Sequence, residues 1–191
     1  MMDDRFAINK EKILNSALFI LDKLEGKGDL HKIFKILYFA DQKHLVTYGF
    51  PITGDVYVAM ENGPVPSNLY DVLKALRGDN VWSNVPKYTE LFDVENYHVS
   101  AKRKPDIKEL AESDVECLLE SIQENKNLGF KQLKEKSHQI AWENAKNDES
   151  SLNEMNFLDI AREGGAGEEM MKYILLNLEN QTLLKPYAKP G

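Results

Sequence analysis

Residues 31–70 read HKIFKILYFADQKHLVTYGFPITGDVYVAMENGPVPSNLY, and the fold turns on how this stretch is parsed. From Leu30 to Tyr48 the apolar residues Leu30, Ile33, Phe34, Leu37, Ala40 and Leu45 return at helical spacing. Ile36, Tyr38, Phe39 and Val46 widen that stripe until only Lys32, Lys35, Gln42 and Lys43 remain as a polar strip. A helix apolar around most of its circumference needs neighbours on several sides, so the spacing predicts a central, buried helix. Asp29 is placed to cap its first amides, Gly49 suits the left-handed position after its last turn, and Pro51 prevents continuation. Thr53, Gly54 and Asp55 then turn the chain into a short β-prone run at 56–60. Asn62, Gly63 and Pro64 read as a turn, and Pro64 and Pro66 stiffen a loop over 63–67. Ser67 is the expected N-cap of a helix reaching Arg77, with Leu69, Val72, Leu73 and Leu76 on one face and Gly78 at its end.

Upstream, residues 9–25 form a first amphipathic helix through Ile13, Leu14, Ala17, Leu18, Leu21 and Leu24, broken at 26–28. Downstream, residues 79–87 look irregular, with Trp82 anchoring that loop against the core. Runs at 91–94 and 97–101 flank Glu95-Asn96 as a hairpin. With 56–60 it would complete a three-stranded sheet, since an isolated hairpin is marginal in water. Ser113 to Glu116 is a capping-box pattern opening the helix of Cys117, Leu118, Leu119 and Ile122, which ends within 125–129. Helices over 130–136 and 140–146 follow, and 147–150 is a polar joint. A second capping-box pattern at 151–154 precedes a helix over 155–162. Gly164, Gly165 and Gly167 then make a hinge before a last helix over 168–180 and a fraying tail. The expected fold class is α+β, mainly helical: a bundle around a central buried helix with a small two- to three-stranded antiparallel sheet.

The 191 residues, 42% hydrophobic and 29% charged, suit an ordinary globular protein with a sizeable core. No apolar run approaches the ~20 residues of a membrane helix, and the start MMDDRFAINK does not read as a secretory signal. The single cysteine, Cys117, excludes an internal disulfide and a thiolate zinc site, so a cytoplasmic location is expected. The net charge of −7 argues against direct nucleic-acid binding by this chain alone. Its one dense positive cluster, residues 101–104, reads as a solvated turn. An acidic surface instead suits a partner with a basic face.

Asp41 and His44 lie three apart on the central helix and share a face. One reading makes them a general base oriented by a carboxylate, with Asp55 nearby. The favoured reading is a hydrogen-bonded network that holds the helix exit against the following loop. The four histidines, His31, His44, His98 and His138, are scattered without metal-ligand spacing, so no metal and no cofactor is expected. The helix start after 63–67 invites an anion, but two prolines remove donors and no Walker lysine follows, which favours a rigid loop. Without a G-x-S-x-G elbow, nucleophilic catalysis has little support. Tyr38, Tyr48, Tyr57 and Tyr70 read either as tethered core or as interface anchors.

The order of motifs is more specific than any one of them. K-I-L-Y-F-A-D-x-x-H from Lys35 to His44 comes first, then Y-G-x-P-I-T-G-D-x-Y-V-A from Tyr48 through Asp55 and Tyr57. G-P-V-P-S follows at Gly63, Pro64, Pro66 and Ser67, then Leu69-Tyr70, and later Ser137-His138 and Trp142. This series resembles the Panacea (SocA-like) antitoxin domain over 28–144. The resemblance implies a domain at 1–146 and a helical extension at 147–191, packed on it or hinged to it. It also implies an antitoxin of a bacterial or phage toxin–antitoxin pair, without catalysis, that neutralises a cognate toxin protein encoded nearby by binding it. The motif residues are then partner-binding or core candidates, and the extension is a partner-specific or homodimer-forming element. The alternatives are a protease adaptor or regulatory binding protein, or an enzyme using Asp41, His44 and Asp55.

Overall fold

Asp29 ends a short strand and starts the central helix. Its side chain accepts from the Lys32 amide at 2.8 Å, and Gly49 closes the other end in the left-handed conformation at φ 81°. The computed structural model describes residues 5–79, 85–150 and 152–184. Trp82, Ser151 and the tail from residue 185 lie outside them.

The helix, α2 (Leu30–Tyr48), follows α1 (Lys10–Lys23) and β1 (Lys27–Asp29). Ile33, Ile36, Leu37, Ala40 and Leu45 are wholly buried on it, each large side chain contributing roughly 1.5–3 kcal/mol. One hydrophobic cluster joins α1 and α2 to α3 (Ser67–Arg77), to the hairpin strands and to α5 (Glu112–Asn125). Between α3 and α5 lie α4 (Val85–Tyr88), β4 (Phe92–Glu95), β5 (His98–Ala101) and a 3-10 turn, Ile107–Glu109. Ser121 Oγ on α5 donates to the Ile36 carbonyl at 2.6 Å, which ties the two helices at mid-length.

A second cluster lies on the opposite face of α2. There Tyr38, Phe39 and Tyr57 meet Phe157, Ile160 and Ala161 of α8 (Phe157–Glu163) and Ile174 and Leu178 of α9 (Glu168–Leu184). Among the described residues, no helix is long and apolar enough to cross a membrane.

The strands pair differently from the expectation. The hairpin β4–β5 forms with its turn at Asn96-Tyr97, one residue beyond the expected Glu95-Asn96, and its third strand is β1, in the antiparallel order β1-β5-β4. The glycine-flanked segment at 26–28 is therefore a turn into a strand, with the Ala101 amide donating to the Gly26 carbonyl at 2.9 Å. The run at 56–60 instead supplies β2 (Tyr57–Met60), which pairs antiparallel with β3 (Gly63–Pro66) in a separate two-stranded sheet. The expected proline loop is thus a strand.

Its prolines are tolerated because of register. Pro66 faces Tyr57 and Pro64 faces Ala59, while the Ala59 amide and Tyr57 carbonyl turn away to bond Asn153 and Met155, each at 2.8 Å. The β2–β3 ladder bonds therefore fall at Val58–Val65 and Met60–Gly63, where every residue carries an N–H.

Three expected caps are also corrected. Ser67 is the first residue of α3 rather than its cap, and Pro66 stands at the cap with no side-chain bond. Helix α5 starts before Ser113: Asp114 accepts from the Ala111 amide at 2.8 Å. After α6 (Phe130–Ser137) and α7 (Ile140–Asn147), the pattern at 151–154 does not open a helix. Leu152 and Asn153 take positive φ, Glu154 bridges Val58, and Asn156 caps α8 two residues later than expected.

Candidate functional site

Asp41 is the hub of the helix exit. Its carboxylate accepts from the Thr53 amide at 3.0 Å, the Thr53 hydroxyl at 2.5 Å and the Tyr57 hydroxyl at 2.8 Å. Burial pushes its pKa up to about 6, and the three donors oppose that rise. Asp55 faces the next helix. It accepts from the Asn68 amide at 3.0 Å, the Asn68 side chain at 2.7 Å and the Leu69 amide at 3.1 Å, so it caps α3 from outside that helix. Its pKa is raised by burial.

His44 has other partners. Its Nδ1–H donates to the Phe50 carbonyl at 2.7 Å, the Ser113 hydroxyl lies 3.1 Å from Nε2, and Asp114 Oδ1 lies 3.3 Å from the same atom. Asp41, His44 and Asp55 are each at most 2% exposed. They are held by backbone and hydroxyl groups of three separate segments, which is the geometry of a structural network. Among the described residues no group of three or more His, Cys, Asp or Glu side chains is placed to hold a metal ion.

Tyr38 packs edge-on against Tyr57 at 5.1 Å, and its hydroxyl donates to Glu163 at 3.1 Å. Gln42 bonds the same carboxylate at 3.2 Å, and the Ala141 amide donates to its other oxygen at 2.9 Å. Glu163 therefore joins α2, α7 and α8. Tyr48 donates to Glu116 at 3.2 Å near the surface, and Tyr70 packs edge-on to Phe34 at 5.6 Å.

Lys35 is fully buried on α2, and its ammonium donates to the Pro64 carbonyl at 2.7 Å. Burial alone lowers its pKa to about 7. It is among the residues that line an open groove of about 640 Å³. Phe34, Val65, Tyr70, Tyr97 and Phe130 line it, together with residues 60–62 at the end of β2 and the turn after it. His31 stacks on Phe130 at 4.1 Å, and its Nε2–H donates to the Asn62 carbonyl at 3.2 Å. Burial, with Lys35 nearby, lowers its pKa to about 4, which keeps the ring neutral.

The model of the family described as antitoxin SocA-like, Panacea domain, matches residues 33–143. The chain belongs to this family. No curated protein and no solved structure matches it.

The Panacea segment runs from within α2 into α7, and its quoted residues are mostly joints of that scaffold. Lys35, Gly63, Pro64 and Ser137 meet at one point, and Asp55 with Ser67 sets the start of α3. His138 stacks on Trp142 at 3.9 Å, and the Trp142 indole donates to the Met60 carbonyl at 2.9 Å, fastening α7 to β2. The sequence reading did not anticipate Glu163, nor the groove residues Phe34, Tyr97 and Phe130. Phe130 had one local signal, a large aromatic residue directly after Gly129 at a helix start.

Proposed function

We propose that this chain is the antitoxin of a toxin–antitoxin pair and neutralises a cognate toxin by direct binding in the cytoplasm, without catalysis. The match of the Panacea antitoxin model to 33–143 carries this reading. The burial of Asp41, His44 and Asp55 supports it, because each carboxylate or imidazole is already engaged in holding the fold. Exposed apolar side chains such as Tyr97 and Phe130 supply contact surface of the kind that anchors protein partners. The toxin is encoded beside the antitoxin, in a bacterial or phage genome.

The test is growth of cells induced for each small neighbouring reading frame, with and without this protein. Arrest by one neighbour, relief by this chain and co-purification of the two support the proposal. Relief accompanied by falling toxin levels and no stable complex would overturn it in favour of a protease adaptor.

A further inference from the structure

The surface around the groove differs in charge from the chain as a whole. The chain carries a net −7, yet Lys35, Lys134 and Lys32 at this end bond only neutral oxygens among the described residues. Lys35 donates to the Pro64 carbonyl, Lys134 to the Asn62 side-chain oxygen at 3.1 Å, and Lys32 to the Lys126 carbonyl at 2.8 Å. Two carboxylates line the same groove. Asp29 is committed to capping α2, and Glu61 stands exposed at the lip in the turn at 60–62. His31 is neutral.

The apolar part is equally marked. Tyr97 at the hairpin tip is 69% exposed and Phe130 at the start of α6 is 53% exposed, and both line the groove. Phe34, Val65, Tyr70 and Lys35 line the same groove. A large apolar patch open to solvent, with buried Lys35 in its lining and Lys134 held on Asn62 at its edge, fits an occupant that is apolar at one point and anionic at the next.

We infer that this groove takes a short segment of the toxin in which an aromatic or aliphatic side chain adjoins a carboxylate. This assignment rests on the antitoxin reading above. The apolar side chain enters between Tyr97 and Phe130, and the carboxylate faces Lys35 and Lys134. A charge met by two ammonium groups in a half-enclosed site is discriminated from its neutral and cationic analogues.

A charge series of one ring system tests the chemistry without the toxin. Indole-3-acetate, indole-3-acetamide and tryptamine are titrated into the isotope-labelled full chain at pH 6, and backbone amide shifts are followed. The expected result is shifts centred on His31, Lys35, Asn62, Tyr97 and Phe130, with the acetate about fivefold tighter than the amide and tryptamine weakest. Tyr97→Ala with Phe130→Ala weakens all three probes, whereas Lys35→Met removes the preference for the acetate. Lys134→Met, which leaves the core intact, reduces the same preference and covers a failure of Lys35→Met to fold. Equal affinity for the three probes, or shifts centred elsewhere, would overturn the inference while leaving the antitoxin reading standing. With the toxin in hand, displacement of indole-3-acetate by toxin supports the assignment. A toxin complex that binds the probe unchanged assigns the groove to a small acid instead.

Discussion

Gly63 and Ser137, far apart in the chain, close against each other beside Lys35. A methyl group on Gly63 would stand 2.5 Å from Ser137 Oγ and 2.8 Å from Lys35 Cε, and the residue holds φ at 99°. Neither the steric room nor the backbone conformation admits another side chain. Gly63→Ala is therefore expected to destabilise the protein by roughly 2–4 kcal/mol, read as a lower urea midpoint at unchanged slope.

Lys35 gives the folded state a distinctive pH dependence. Its pKa of about 7 lies far below the 10.5 of an exposed lysine, and burial is the cause. Between those values the unfolded chain holds more protons than the folded one, so this residue makes stability rise with pH from 7 toward 10.5. The slope from one group is at most about 1.4 kcal/mol per pH unit. Urea unfolding of the wild type and Lys35→Met at pH 7, 8 and 9 measures it. The difference between them should move in favour of the wild type as pH rises.

The start of α3 distinguishes two serine and aspartate roles. Asp55→Ala removes the acceptor of two backbone amides and one side-chain amide, at an expected cost of roughly 2–4 kcal/mol. Ser67→Ala removes no cap and is expected to change stability by less than about 0.5 kcal/mol. Thermal unfolding of the two variants decides which residue begins the helix.

Both ring nitrogens of His44 are engaged at the helix exit, one on the Phe50 carbonyl and the other beside the Ser113 hydroxyl. His44→Ala leaves the Phe50 carbonyl and the Ser113 hydroxyl without their buried partner, and should cost roughly 2–4 kcal/mol. A protein of this size then melts several degrees lower, about 2–4 °C for each kcal/mol. Full loss of toxin neutralisation with an unchanged melting temperature would instead point to chemistry at His44.

Truncation after residue 147 is expected to damage the fold itself. It uncovers Tyr38, Phe39 and Tyr57, which pack against Phe157, Ile160, Ile174 and Leu178, and it removes the Glu163 acceptor from Tyr38. Broadened amide spectra and an early, less cooperative melt are the expected readout. A truncated chain that melts as sharply as the full one would show an independent domain at 1–147.

Much of this architecture is legible along the chain because its signals are local. The apolar stripe of α2, with Asp29 before it and Gly49 after it, identifies the central helix and both ends. What escaped depends on partners distant in sequence. Pro64 and Pro66 suggest a loop until the register places both away from the ladder bonds of β2. Ser67 and Ser113 look like caps at the conventional local position, whereas Asp55 caps α3 across a hairpin and α5 begins before Ser113. The groove is built from α2, the β2–β3 hairpin, Tyr70 of α3, Tyr97 and Phe130, five segments with no shared periodicity. Glu163 sits in a short helix with no motif of its own, and only packing shows that Tyr38 and Gln42 converge on it.

The most direct measurement is a titration of the purified toxic neighbour's inhibitory activity with the purified full chain, followed by size-exclusion chromatography of the mixture. Neutralisation by binding predicts that inhibition falls in proportion to added protein, ends at a fixed molar ratio and leaves one co-eluting complex. Relief by a small fraction of an equivalent, with the two proteins eluting apart, would contradict it.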